Sequence, residues 1–370
     1  MKSTRAVRII TSLSIAVVVL GSVSWLGLGQ VSGKISRINV FGGLNNRPEK
    51  TSKALNYLLV GSDSRVGLNK DQLKLLRVGS TATAAGGRSD TMFLVHISKA
   101  RDKAYLVSLP RDTLVTIPAH TSTDGKSQIP ARQNKLNAAF AFGGAPLLIQ
   151  TIEGETNLKI DHYVEISFAG FAGIVEALGG IDVCTKVNIN DPQSHLILSA
   201  GTHTLNGVEA LKYVRTRDFD GLGDIGRMQR QQQFMSSVIK KASSSGVLLN
   251  PIKIVNFMNA AIATIKMDEN LNEGDLLDLA KQLRGLSSGN VRTLTVPLSE
   301  SNGRVPGLGS VVIWDKTLSA DLWQRIRDDA PLVDIVKPSP AASGSPTAKP
   351  EVVDKFKTRT ASENPCGQIK

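Results

Sequence analysis

Apolar runs of strand length that stop abruptly at charged pairs constrain this chain more than any other feature. "NYLLVGSDSR" ends in Asp63 and Arg65, "RSDTMFLVHI" begins with Arg88 and Asp90, and "AYLVSLPRDT" runs into Arg111 and Asp112. A short apolar run bounded by turn residues reads as a strand buried on both faces. Charged residues at its end sit where a rigid sheet holds loop side chains in fixed relation. The short "SKARDK" turn between the second and third runs predicts an antiparallel hairpin. The chain is thus expected to fold around a sheet whose strand ends collect polar side chains.

Helical spacing alternates with these runs. "NKLNAAFAFGGAPLLIQTIEGETN" predicts a helix, "HYVEIS" a strand, "FAGFAGIVEALGG" a helix ended by its double glycine, and "IDVCTKVNI" another strand. The alternation predicts an α/β/α sandwich, a central mixed and largely antiparallel sheet flanked by helices. Further on, "PIKIVNFMNAAIATIKMDENLNEGDLLDLAKQLRGL" reads as two helices and "VRTLTVPL" and "GSVVIWD" as strands. "TLSADLWQRIRDDAP" reads as a closing helix started by Ser319.

The ends differ from this body. Ile9–Gln30 is a run of 22 residues without a charge, and ~20 helical residues span a bilayer core. Lys2, Arg5 and Arg8 precede it, so the positive-inside bias puts residues 1–8 in the cytoplasm and everything after the span outside, although Lys34 and Arg37 weaken the contrast. The alternative, a cleaved signal peptide, lacks an A-x-A site and has a shorter apolar core. Residues 31–53 then read as an extracytoplasmic stalk, 54–336 as the body, and 337–370, opening on "KPSPAASGSPTAKP", as a Pro/Ser-rich linker and polar tail. The net charge of +12 is concentrated at the ends: residues 1–50 hold seven Lys/Arg against one Glu and residues 337–370 six against three, leaving about +3 for the rest. A near-neutral body outside the cell is the wrong place for a polyanion-coating surface, so no nucleic-acid partner is expected. Two cysteines, Cys184 and Cys366, form a candidate disulfide in an oxidising compartment, with two unpaired thiols as the alternative.

The fourth polar cluster is the densest. "YVRTRDFDGLGDIGRMQRQQQF", residues 213–234, carries four arginines, three aspartates and four glutamines. On an extended segment Arg215 and Arg217 leave the same face. Asp224 stands where a helix N-cap belongs, and Arg227 and Gln231 are one turn apart on the helix that follows. With Met228, Met235 and Ile239 as its buried centre, Arg227 and Gln231 fall at the rim of the core. Guanidinium forks match phosphate oxygens; the competing reading is a solvated helix face neutralised by Asp218, Asp220 and Asp224. Arginines facing two loop aspartates suit a magnesium-bound pyrophosphate, because Mg²⁺ takes one or two carboxylates together with phosphate oxygens. The chain contains no G-x-x-x-x-G-K-[ST], H-E-x-x-H or G-x-S-x-G motif.

The ordered series of these segments, with "LVSLPRDT", "KLNAAFAFGG", "HYVEISFAGFAGIVEALGGIDV", "GTHTLNGVEALKYVRTR" and "GDIGRMQRQQQF", resembles the LytR-CpsA-Psr family of cell-wall phosphotransferases. The resemblance implies a membrane-anchored, extracytoplasmic enzyme that moves a glycan phosphate from a polyprenyl-pyrophosphate carrier onto peptidoglycan with Mg²⁺. Asp63 and Asp90 correspond to metal-holding carboxylates. Arg88, Arg111, Arg215, Arg217, Arg227 and Gln231 correspond to pyrophosphate-binding residues, and Asp224, with Arg217 and Arg227, to catalytic ones. Arg65 and Lys135 fall in matching segments without a defined role. The family's lipid tunnel implies apolar lining, for which "FAGFAGIVEAL" and "AFAFGGAPLLI" are the candidates, each equally readable as core. The rival readings are a pyrophosphatase that uses water as acceptor, a non-catalytic binder of prenyl lipid or wall polymer, and a regulatory DNA-binding protein suggested by the basic pI.

Overall fold

Along the central strands, alternate residues enter two different hydrophobic cores. The computed structural model describes residues 36–63, 70–76, 89–217, 219–221, 223–244, 265–282, 286–336, 351–363 and 366. Its strands in chain order begin with β1 (Ser36–Ile38), β2 (Leu55–Ser62), β3 (Ser89–Ile97) and β4 (Ala104–Ser108). Two small hairpins follow, β5 (Leu114–Ile117) with β8 (Arg132–Lys135) and β6 (His120–Thr121) with β7 (Gln128–Ile129). β9 is His162–Ile166 and β10 Ile181–Thr185; β11 (Ile189–Asp191), β12 (Leu196–Leu198) and β13 (Gly201–Leu205) come next, then β14 (Ile265–Asp268) and β15 (Val291–Thr295). β16 (Leu298–Val305), β17 (Gly309–Trp314), β18 (Asp334–Val336), β19 (Glu351–Val353) and β20 (Arg359–Thr360) complete the set. The helices are α1 (Lys70–Leu76), α2 (Leu136–Thr156), α3 (Phe168–Ala177), α4 (Gly207–Tyr213), α5 (Gly223–Ser244), α6 (Glu273–Gln282) and α7 (Lys316–Arg327).

Eight strands form the main sheet in the order β1-β14-β9-β2-β3-β4-β15-β20. Of its seven pairings, β14–β9, β2–β3, β3–β4 and β15–β20 are antiparallel, while β1–β14, β9–β2 and β4–β15 are parallel. The expected sandwich and mixed sheet are present, but antiparallel pairs are a bare majority. Leu58 and Val60 of β2, Met92 and Leu94 of β3, and Tyr105 and Val107 of β4 face α2 and α7, packing with Leu148, Ile149, Ile152, Leu322 and Trp323. The intervening residues face the other way: Phe93 and Leu106 meet Met235 and Ile239 of α5, and Tyr57 and Ile97 meet Leu276 and Leu279 of α6. Burying a large apolar side chain is worth about 1.5–3 kcal/mol, so a strand buried on both faces holds its register firmly.

A smaller core lies beside the sheet, where α3, α4, β10 and β13 pack around Phe234 of α5. It depends on a close backbone approach: a Cβ at Gly207 would sit 2.5 Å from the Ala172 carbonyl oxygen. α3 ends as expected, with Gly179 and Gly180 at φ 72° and 87°.

Several sequence expectations give way. The segment expected as the end of a helix, "IKMD", is strand β14, inserted between β1 and β9; pairing on both sides outweighs a weak helical spacing. α7 is capped by Asp315, whose carboxylate accepts from the Thr317 and Leu318 amides at 3.0 and 2.9 Å, while Ser319 bonds back to the Asp315 carbonyl. The stalk is in part body: β1 adds an edge strand, Val40 is buried, and Arg47 binds Glu153 through two nitrogens, at 3.0 and 2.6 Å. The tail likewise returns. β19 pairs with β18, β20 extends the sheet at β15, Phe356 and Ala361 are buried, and Cys366 is disulfide-bonded to Cys184 on β10. No helix among the described residues is long and apolar enough to cross a membrane, and the span expected at 9–30 lies outside them.

Candidate active site

The carboxyl end of α4 leads directly into the site. A capping box between Asn206 and Glu209 starts that helix, and after Tyr213 the chain closes a turn, with the Arg215 amide donating to the Lys212 carbonyl. Arg215 therefore stands on a turn rather than on the extended segment expected, yet it and Arg217 line one cavity of about 270 Å³.

Three buried polar side chains hold this segment. Arg230 donates to the Thr216 carbonyl at 2.7 Å, Gln231 to the Val214 carbonyl at 3.2 Å, and the Asp191 carboxylate accepts the Arg217 amide at 2.5 Å. Arg230 also binds Asp220 and stacks its guanidinium 4.6 Å from the centre of the Phe219 ring. Each of these three is under a tenth exposed, and a buried polar group in such a network fixes backbone geometry because leaving it unpaired is costly. The helix α5 thus carries polar residues into the interior and does not merely rim the core.

The charges gather around Asp224. One of its oxygens lies 2.9 Å from Arg217 and 2.8 Å from Arg227, and Arg111 approaches the other at 3.9 Å. Asp224 falls in the first turn of α5, not at its cap, and its carboxylate ties arginines from three elements together. Arg111 also contacts Asp112 at 3.3 Å, and Asp112 contacts Lys135 at 3.2 Å, so charges alternate outward from the cavity. Arg227 is buried, whereas Arg217 is a third exposed and faces the mouth.

Among the described residues, Arg111, Arg215, Arg217 and Arg227 line the cavity and no carboxylate does. Ser167 caps α3 at the wall, bringing the positive end of that helix toward the same space. Leu59, Phe93, Phe168, Phe171, Phe234 and Met235 add an apolar lining to the same cavity, with the Arg215 guanidinium 5.4 Å from the centre of the Phe168 ring. "FAGFAGIVEAL" contributes Phe168 and Phe171 as expected of a lining segment. "AFAFGGAPLLI" does not line it, because α2 covers the other face of the sheet and its side chains belong to the main core.

Of the two expected metal-holding carboxylates, Asp63 follows Ser62, which lines the cavity. Between Gly61 paired with Thr91 and Ser62 paired with Ser89, the ladder shifts by one residue, leaving Asp90 in the bulge. The backbone therefore brings Asp63 and Asp90 to the same end of adjacent strands. The side chain of Asp90, and Arg65, Arg88 and Asp218, lie outside the described residues. No group of three or more His, Cys, Asp or Glu suited to a metal occurs among the described residues. Two aspartates at neighbouring backbone positions are the residue type that suits an ion taking its remaining oxygens from phosphate and water.

Asp191, Gln193 and Ser194 are site residues that sequence reasoning passed over. Asp191 accepts from the Gln193 and Ser194 amides at 2.9 and 2.7 Å, an Asx turn that sets both residues on the cavity wall. The signal was "NDPQS", a turn sequence directly after a strand.

Residues 31–327 match the model of the LytR_cpsA_psr family. The probable cell wall biosynthesis protein LcpB of Corynebacterium glutamicum is 36% identical over 272 residues, covering 74% of this chain and 61% of the relative. The cell wall biosynthesis protein LcpA of the same organism is 29% identical, covering 80% and 60%, so the chain spans about 60% of the length of these two relatives. The polyisoprenyl-teichoic acid–peptidoglycan teichoic acid transferase TagU of Bacillus anthracis is 29% identical, covering 70% of this chain and 80% of that protein. Among solved structures, protein gbs0355 of Streptococcus agalactiae superposes with a TM-score of 0.60 at 25% identity, covering 76% of this chain and 92% of that one. The structure of TagT bound to LI-WTA shares the fold at a TM-score of 0.57 and 24% identity, covering 79% and 99%.

Proposed function

The chain belongs to the LytR-CpsA-Psr family, and from that premise we propose that it is a membrane-anchored transferase moving a glycan, with one phosphate, from a polyprenyl-pyrophosphate carrier onto peptidoglycan outside the cell. One observation carries this reading: four arginines line a single cavity that is otherwise largely apolar. A prenyl pyrophosphate has the same division, a dianionic head and a hydrocarbon tail. The TagU relative, by its name a polyisoprenyl-teichoic acid–peptidoglycan teichoic acid transferase, supports the same reaction class.

In the reaction an acceptor sugar hydroxyl attacks the phosphorus bearing the glycan. A new P–O bond forms, the bond from that phosphorus to the bridging oxygen breaks, and polyprenyl phosphate leaves with the electron pair. Such transfers ask the protein for in-line positioning and charge stabilisation. Arg227, buried and fixed by Asp224, holds one pyrophosphate oxygen; Arg217 at the mouth and Arg215 and Arg111 beside it neutralise charge gathering on the leaving phosphate. Gln231 acts from its bond to the Val214 carbonyl, holding the turn that presents Arg215.

Asp224 is engaged by two arginines, Arg217 and Arg227. When the pyrophosphate takes over those donors, the carboxylate is released to accept the hydroxyl proton, so substrate binding itself arms the base. Asp63 and Asp90 would hold a Mg²⁺ ion, which supplies further charge neutralisation when bound.

The test uses the full chain in detergent micelles with a polyprenyl-pyrophosphate oligosaccharide, peptidoglycan and Mg²⁺. A phosphodiester-linked product that disappears in Arg217→Ala and Asp63→Ala supports the transferase. Free glycan phosphate as the sole product would make it a pyrophosphatase, and bound but unchanged donor would make it a lipid-binding protein.

A further inference from the structure

Helix α5 has a second polar face that the proposed reaction does not use. Arg227, Gln231, Phe234 and Met235 look into the arginine-lined cavity, whereas Gln229, Gln233, Ser236, Ser237 and Lys240 look into a separate cleft of about 770 Å³. The helix is the wall between them, so the two spaces are about one helix diameter, 10–12 Å, apart.

The other walls of this cleft come from the end of β10 and from the returning tail. Lys186 follows β10, and Arg359 and Thr360 belong to β20, which the Cys184–Cys366 disulfide and the pairing with β15 hold in place. Its floor is fastened by Gln233, which donates to the Cys184 carbonyl at 2.6 Å, and by Gln232, which donates to Thr295 at 2.6 Å.

Charge in the cleft is unbalanced in a specific way. Its carboxylates are engaged: Asp220 binds Arg230, Asp182 accepts from the Thr204 hydroxyl and Glu363 from Thr360. Lys186, Lys240 and Arg359 are exposed and form no ion pair among the described residues. These three cations therefore come from three separate segments, around a lining that mixes amides and hydroxyls with Val183, Val187 and Phe219. The Gln and Ser side chains of the lining suit hydroxyl-rich chains.

We propose that this second cleft binds an anionic saccharide chain, with sugar hydroxyls on Gln229, Ser236 and Ser237 and phosphate or carboxylate groups on Lys186, Lys240 and Arg359. Its use during transfer rests on the transferase reading; the binding itself does not. The anionic groups come either from phosphates of the polymer being moved or from carboxylates of the wall acceptor.

The full chain in detergent micelles is titrated at low salt with three labelled probes: a short poly(glycerol phosphate), a muropeptide with free carboxylates, and a neutral dextran oligosaccharide. One charged probe is expected to bind, and Lys240→Glu with Arg359→Glu to weaken it by about tenfold or more. The reversal Lys99→Glu with Lys316→Glu, at exposed positions elsewhere, is expected to leave binding unchanged. Loss confined to the phosphate probe assigns the cleft to the donor polymer, and loss confined to the muropeptide assigns it to the acceptor.

Equal binding of the neutral probe, or equal losses from both double reversals, would overturn the proposal. If the Glu pair unfolds the protein, Lys240→Gln with Arg359→Gln carries the same comparison with a smaller loss. Arg217→Ala separates the two proposals, since it is expected to abolish transfer and leave probe binding intact.

Discussion

Two long helices cover opposite faces of the same sheet, and they are built on opposite plans. α2, whose 21 residues are broken by a kink at Gly143 and Gly144, buries Leu147, Leu148, Ile149 and Ile152 in the main core and touches neither cleft. α5, 22 residues, buries Arg227, Arg230, Gln231 and Gln232 beside Met228 and Phe234, and meets the sheet through Met235, Ile239 and the Gln232 bond to Thr295. One face of the sheet is therefore covered for stability and the other for positioning. A buried arginine in a network fixes its neighbours because an unmade hydrogen bond costs more than a made one contributes; a buried leucine fixes little beyond volume.

The contrast breaks most sharply at Arg227. Arg227→Ala is expected to lower transfer by about 10²–10³-fold, the usual cost of removing one charge-stabilising donor, measured as product per unit of folded protein. Leu148→Ala, at the matching depth of α2, is expected to cost about 3 kcal/mol in denaturant unfolding while turnover of the folded fraction stays as before. If both variants lost activity and stability in equal measure, the division of labour between the faces would be wrong.

A finer cut lies at Asp191. Asp191→Asn keeps an acceptor for the Gln193 and Ser194 amides but weakens the hold on the Arg217 amide. Transfer should fall about tenfold, equivalent to ~1.4 kcal/mol, with the melting temperature changing less than in Leu148→Ala. The smallest effect is at His96, whose pKa burial pushes below its ordinary value while the facing Asp329 raises it in part. A histidine kept neutral in the fold but free to protonate when unfolded supports stability fully above about pH 6.5 and loses that contribution as pH falls. His96→Gln should flatten the decline in melting temperature between about pH 7 and 5, and a curve superimposable on the wild type would remove His96 from the account.

Much of this was legible in the chain. Strands whose neighbours on both faces are apolar announce themselves as runs, and β2, β3, β4 and β9 appear where those runs stand. The arginine site was legible because Arg111, Arg215, Arg217, Arg227 and Gln231 are rare residue types for an otherwise apolar body, and the fold brings them to one cavity. What escaped was decided by distant pairing. "IKMD" has no strand signature of its own and becomes β14 only because β1 and β9 flank it. The tail reads as linker because its ordering depends on a disulfide and on an open edge at β15, neither of which leaves a periodic trace. Asp224 read as a helix cap because Asp is common there; its partners Arg217 and Arg111 are set by the sheet and the turn, not by local spacing.

The returning tail has a consequence in time. β20 pairs with β15 after every other strand of the sheet has been made, and Cys366 waits for Cys184 across 182 residues of chain. As the chain is synthesised, the β15 edge stays uncovered and Cys184 stays a thiol until that tail arrives. An uncovered strand edge is a template for pairing with other chains. The tail therefore acts as the closing fastener of a process that runs from one end of the chain to the other: a chain cut after residue 336 can complete the arginine cavity but leaves an open sheet edge and a lone sulfur.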